Sequence, residues 1–149
     1  MIKVIPFEPE HIMGIKPLIN DATMLQLVND SAYLKLLKHL GPAYSGFTPE
    51  GQCVGAAGIK QVTGTTVEGW AVLAEDSKKY SKSIIRAIDL FIQNYFKHNA
   101  ADRFQATVKM NFTKGHRLAR ILKFKPEGIL HSYEYGEDYM MYGRINSWL

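Results

Sequence analysis

The stretch that decides the fold reads VEGWAVLA (67–74), EDSKKYSKS (75–83) and IIRAIDLFIQNYF (84–96). Its first segment is a short apolar run of strand length. In its last, Ile84, Ile88, Phe91 and Tyr95 recur at steps of three and four, with Ile85, Ile92 and Phe96 widening the stripe. That spacing predicts a helix with one broad apolar face. The loop between holds three lysines and three serines. A strand leading through a basic loop into a helix start can hold an anion. The first N–H groups of the helix lack intrahelical partners, and the macrodipole adds a partial positive charge. The same pattern also fits an ordinary crossover with a solvated lysine loop.

Upstream, Met1–Phe7 reads as a strand and Glu8-Pro9-Glu10 as a helix start, with Pro17 ending or kinking that helix. Asn20-Asp21 precedes a second helical pattern, through Met24, Leu27, Val28, Leu34, Leu37 and Leu40, with a break at Asn29-Asp30-Ser31. Gly41-Pro42 closes it as a glycine C-cap followed by proline. Ala43–Phe47 and Gln52–Ile59 then flank a Thr48–Gly51 hairpin turn, and Thr63-Gly64-Thr65 turns into the strand Val67–Ala74. The small residues Gly55–Gly58 leave room for a close neighbour, a helix or a ligand. Downstream, Arg103–Met110 alternates, with Phe104, Ala106 and Val108 on one face and Arg103, Gln105 and Thr107 on the other. The crossover through the helix makes this strand parallel to Val67–Ala74. A helix over Lys114–Lys123, the connection Pro126–Gly128, and a hairpin of Ile129–Tyr135 with Tyr139–Ile145 complete a single mixed α/β domain over 1–149.

Composition sets limits on function. The chain is 46% hydrophobic and 21% charged, as a globular domain should be. It shows no apolar span of membrane length, signal peptide or lipidation motif. The single cysteine, Cys53, cannot form an internal disulfide, which fits a cytoplasmic setting. It reads as a small buried residue rather than a nucleophile. The net charge of +4 suits polyanionic small molecules and is too diffuse to argue for nucleic acid. Neither a membrane nor a nucleic acid is the expected partner, and no metal ligand set is read.

Two strings carry a resemblance to a known family. Residues 67–83 resemble, without a gap, the segment Ala-Glu-Ile-x-Leu-x-Val-x-Pro-x-x-Arg-Gly-x-Gly-x-Gly of the GCN5-related N-acetyltransferase (GNAT) superfamily. Glu68 matches its Glu, Leu73 its Val and Lys78 its Arg, while Ser81 and Ser83 take two glycine positions. Residues 116–128 resemble the family's Ile-x-Leu-Tyr-Glu-Lys-Leu-Gly-Phe-x-x-Glu-Gly. Here Ala119 stands at the tyrosine and Lys123 at the glycine. The resemblance covers nearly the whole chain and implies the acyl-CoA N-acyltransferase fold, an α/β (α+β) architecture with a mixed sheet of about seven strands and helices on both faces. Small phage-encoded GNAT-like proteins, internal virion components among them, show comparably eroded motifs.

The implied activity is transfer of an acetyl group from acetyl-CoA to a primary amine of a small molecule or protein, in a host cytoplasm, with room for a homodimer. The implied cofactor contacts are Leu73 on the strand, Lys78, Lys79, Tyr80, Ser81, Lys82 and Ser83 in the loop, and Asn111 after the next strand. Such chemistry needs a base to deprotonate the amine, for which Glu68 is the candidate, and N–H donors for the tetrahedral intermediate. It also needs an acid for the departing thiolate. The family tyrosine is absent and the acid stays unassigned. Tyr133, Tyr135 and His131 share one face of the last hairpin at i, i+2 spacing and are candidates, Tyr133 first, though an aromatic stripe on a strand is also the mark of a core. His116 reads as a partly exposed helix residue. A second reading stands beside the enzyme: a GNAT-fold binding or structural protein, such as a virion component, that has lost catalysis. Ala119 and the serine-substituted loop favour it.

Overall fold

The computed structural model of the protein describes residues 1–148. Seven strands and four α-helices are found among them: β1 (Lys3–Pro6), α1 (Ala22–Val28), α2 (Ser31–Leu40), β2 (Ala43–Phe47), β3 (Cys53–Gln61), β4 (Thr66–Leu73), α3 (Ser81–His98), β5 (Arg103–Lys109), α4 (Thr113–Ile121), β6 (Lys125–Glu134) and β7 (Glu137–Ile145). The strands form one mixed sheet in the order β1-β2-β3-β4-β5-β7-β6. β4 and β5 are parallel, Thr66 to Glu68 pairing with Arg103 to Gln105, as the crossover through α3 requires. The contacts cluster into two compact units, 1–60 with 70–84 and 61–69 with 85 onward.

In the first unit, Val28 of α1 and Leu34 and Leu37 of α2 bury against Phe7, Ile12, Ala56 and Val72. The break between the two helices has a local cause. Asp21 caps α1 by accepting from the Met24 N–H at 2.8 Å, and Asp30 caps α2 by accepting from the Tyr33 N–H at 3.0 Å. Each cap stabilises its helix by about 1 kcal/mol. The helix expected from Glu8 is instead one 3-10 turn, Pro9–His11. Residues beyond it are taken by distant partners: Gly14 N–H donates to Val28 O, Leu18 N–H to Leu73 O, and Pro17 bridges Ala74. Those bonds compete with the i−4 ladder, and Pro17 would not have donated to it. Gly41 does end α2, but at φ 163° its backbone is extended rather than left-handed. A Cβ there would lie 2.5 Å from Ile59 O, so close approach is what the glycine permits. Gly55 has a related reason. It sits at φ 148° beside the bulge of β3, and the neighbour the small residues admit is β4, with Val72 O 2.5 Å from an added Cβ.

In the second unit, Phe104 of β5 takes edge-on contacts from Phe91, Tyr95 and Phe96 of α3, with centroids 5.6 to 6.4 Å apart. Arg144 of β7 is 1% exposed and ties two helices to the sheet, donating from Nη1 to Asp89 Oδ1 of α3 and to Leu122 O at the end of α4, both at 2.9 Å. Pro126–Gly128, expected as a connection, lies inside β6. Pro126 pairs with Tyr142 and Gly128 with Met141, which leaves Glu127 as the extra residue of a bulge.

Candidate active site

The segment between β4 and α3 is more ordered than a loop. Glu75–Tyr80 forms 3-10 turns that run directly into α3, and α3 begins at Ser81, three residues before the apolar stripe. Ser81 is right-handed helical (φ −56°, ψ −41°), and its N–H donates to Lys78 O. At least one of the donors a helix start would offer an anion is therefore already engaged. Lys78, Lys79, Ser81 and Lys82 are exposed, Tyr80, Ser83 and Leu73 are half-buried, and Ser77 is buried. Leu73 O accepts from Leu18 N–H, and Ala74 N–H donates to Val54 O, so the end of β4 is held from both sides within the first unit. Cys53, in the same unit, is half-buried, and burial pushes its thiol up. It is no activated nucleophile.

The other three expected residues, Glu68, Asn111 and Tyr133, belong to the second unit. Glu68 lies on β4 opposite Gln105 of β5, whose Nε2 donates to Glu68 Oε1 at 3.0 Å. Gln105 in turn accepts from Arg103 Nε at 3.0 Å, and the Arg103 guanidinium grips both oxygens of Glu127 at 2.8 and 2.5 Å. Glu68, Gln105, Arg103 and Glu127 thus form one continuous polar chain across four strands. Over β7 it crosses Gly143, where a Cβ would meet Glu127 Oε2 at 2.5 Å and Arg103 Nη1 at 2.7 Å. The guanidinium holds the Glu127 carboxyl below its ordinary value, through the hydrogen bond first and the charge second. What this arrangement does for Glu68 is hold a carboxylate oxygen in a fixed place by a neutral donor. Gln105 is visible in sequence only as one polar residue of an alternating strand; its role needed the register.

Tyr133 is not part of this chain. Its ring packs on Tyr139, 5.3 Å between centroids. Tyr139 pairs with Lys109, four residues along β5 from Gln105, roughly 13 Å of strand. Nor do His131, Tyr133 and Tyr135 form a buried stripe. Ser132 and Tyr135 take positive φ (48° and 50°), which breaks the alternation, and Tyr133 and Tyr135 are 46% and 73% exposed. Asn111 is exposed just beyond β5. His116 is better fixed than a surface helix residue. Its Nε2 donates at 3.0 Å to Met110 O, which can only accept, and its Nδ1 shares a 2.7 Å hydrogen bond with the buried Tyr142 hydroxyl. Ala119, at the family's tyrosine position, is buried at 6% exposure.

No protein-family model and no curated protein matches the chain. Solved structures do. A GNAT-family acetyltransferase from Bacillus anthracis is 16% identical with a TM-score of 0.74, over 98% of this chain and 95% of that one. A ribosomal L7/L12 alpha-N-protein acetyltransferase, RimL, in complex with coenzyme A is 15% identical with a TM-score of 0.75, over 97% and 93%. A spermidine N-acetyltransferase SpeG chimera from Vibrio cholerae and hSSAT is 12% identical with a TM-score of 0.76, over 99% and 96%. What this chain has in common with these acetyltransferases is the GNAT fold, from first strand to last.

Proposed function

We propose that the protein is an acetyl-CoA-dependent N-acetyltransferase acting on a primary amine of a small molecule or protein. The observation that carries this reading is the run from β4 into α3, three exposed lysines and two serine hydroxyls within residues 78–83 of an acetyltransferase fold. Lysine ammonium groups and serine hydroxyls both donate to phosphate oxygens, and right-handed serines do so without needing glycine's freedom. In this reading Leu73 lies along the pantetheine arm and Lys78, Lys79, Tyr80, Ser81, Lys82 and Ser83 take the pyrophosphate. Bound acetyl-CoA supplies a thioester. The amine nitrogen forms the new C–N bond as the C–S bond breaks, Glu68 accepts the amine proton directly or through water, and the thiolate takes its proton from solvent. Gln105 holds Glu68 Oε1 in place for that step.

One observation favours the non-catalytic module instead: Ala119 is buried and cannot donate a proton. A single set of measurements separates the two. Acetyl-CoA at about 100 times its dissociation constant should stabilise the protein by roughly 2.7 kcal/mol. Thiol release against polyamines, aminoglycosides, amino acids and lysine peptides should reveal an acceptor. Glu68→Gln should then lower transfer by about 10²–10⁴-fold and leave the acetyl-CoA-induced shift unchanged. No thermal shift would refute the cofactor assignment. A shift with no turnover would establish the binding module.

A further inference from the structure

The positive charge of this chain is not spread evenly. Residues 103–126 hold seven lysines and arginines and no aspartate or glutamate. The whole chain has 18 basic against 14 acidic residues, so outside this stretch the balance is 11 to 14. The formal +4 therefore averages a strongly basic segment with a mildly acidic remainder. Four of the seven lie on α4 or at its end, while Arg103 on β5 is paired with Glu127. On α4, Lys114, Arg117, Arg120 and Ile121 are exposed, while Gly115 and Ala119, with Leu122 just after the helix, are buried. At 3.6 residues per turn the four exposed side chains fall within an arc of about 120°. Lys123, also exposed, follows at the end of the helix. The side chains of Arg117, Arg120 and Lys123 have no hydrogen-bond or ion-pair partner among the described residues.

We propose that the outer face of α4, through Arg117, Arg120 and Lys123, binds the phosphate backbone of nucleic acid without regard to sequence. Amphipathic basic helices also dock on lipid, but that mode needs the apolar face, and here it is buried in the fold. A folded protein partner would require a desolvated apolar centre. Ile121 is the one large apolar side chain exposed on α4, so the face offers charge and little else. Charge alone is the requirement for backbone binding by counterion release. The cofactor's phosphates, in the proposed function, fall to the lysines just before and at the start of α3, and this inference does not depend on that assignment.

Fluorescence anisotropy of the full chain with a labelled duplex of about 20 base pairs, over roughly 50 to 200 mM salt, tests it. Binding should be independent of sequence and fall with a log–log slope of about −0.9 per phosphate contact, near −3 for three cations. The triple variant Arg117→Ala, Arg120→Ala, Lys123→Gly should lose most of that slope. Lys123→Gly alone should lower it by about 0.9 while leaving the protein at least as stable, which separates lost charge from lost fold. No binding at the lowest salt, or unchanged binding by the triple variant, would overturn the proposal. So would loss of duplex binding in saturating acetyl-CoA, which would give these cations to the cofactor. Equal binding of poly-glutamate at matched charge would make the partner an acidic protein.

Discussion

Ser81 and Lys123 both stand where the GNAT motifs have glycine, and the backbone treats them in opposite ways. At Ser81 the chain is already right-handed helix, φ −56° and ψ −41°. At Lys123 φ is 68°, in the left-handed region. There Phe124 N–H donates to Ala119 O at 2.9 Å and Lys123 N–H to Arg120 O at 3.0 Å. These are the two bonds of a Schellman motif, whose C′ residue is left-handed and usually glycine. A lost motif glycine therefore says little until the torsion beneath it is known. The serines of the β4–α3 segment carry no strain, whereas Lys123 is held in a conformation costing a side chain about 1–2 kcal/mol. The α4 end would accept glycine without loss of its hydrogen bonds, yet it presents a charged side chain.

The largest expected effect concerns the third altered position. Ala119 is buried, and its carbonyl is one acceptor of the Schellman motif. Ala119→Tyr would force a phenol in at a buried position one turn along α4 from Gly115, where an added Cβ would already lie 2.5 Å from Phe112 and 2.7 Å from Val108. Overpacking of this kind costs about 1–3 kcal/mol. The urea midpoint should drop accordingly, with no gain in acetyl transfer. A variant as stable as the wild type and faster in transfer would show that the position still faces a working site.

Smaller and opposite in sign are the glycine restorations. Lys123→Gly should raise stability by about 1 kcal/mol, the relieved torsion outweighing glycine's added freedom in the unfolded chain. Ser83→Gly, inside the first turn of α3, should lower it by about 0.5 kcal/mol through helix propensity alone. Chemical denaturation of the two single variants is sufficient. Two changes of the same sign would mean that torsion does not govern these positions.

How much of this was legible in the sequence follows the range of the interactions. The stripe Ile84–Phe96, the break at Asn29-Asp30-Ser31 between α1 and α2, and the parallel pairing of β4 with β5 all rest on local spacing or on a handedness rule. Each appears in the structure. The helix expected at Glu8 fails because Gly14, Leu18 and Pro17 bond to residues far along the chain. Pro126–Gly128 has the composition of a turn, yet it is a bulge because β7 supplies a partner on both sides of Glu127. The aromatics 131–135 alternate in sequence but not in space, since Ser132 is left-handed. Glu68 itself was visible in the sequence as a match to the family segment. Gln105 and the ion pair behind it were not, because they depend on which residues of β5, β6 and β7 lie opposite one another.

The smallest effect belongs to a glycine kept for a third reason, the space above it. Gly143 lies under the Arg103–Glu127 pair, and the atoms a Cβ would meet are the tips of those two side chains. Gly143→Ala should therefore displace the pair and leave the strand intact. The pair carries a pH signature whose sign is fixed. Arg103 depresses the Glu127 carboxyl below its ordinary 4.5, so the pair's contribution is complete above that value. It is lost as pH falls through the lowered folded-state value. With side chains 24% and 34% exposed, screening keeps this contribution under about 1 kcal/mol. Urea melts at about pH 7 and about pH 3 should show the wild type losing slightly more stability on acidification than Gly143→Ala or Glu127→Gln. The double variant should lose no more than either single one, since both remove the same interaction. If Gly143→Ala kept the full acid dependence while Glu127→Gln lost it, the ion pair would have slid past the new methyl group. The glycine would then be retained for strand packing rather than for the charge that crosses it.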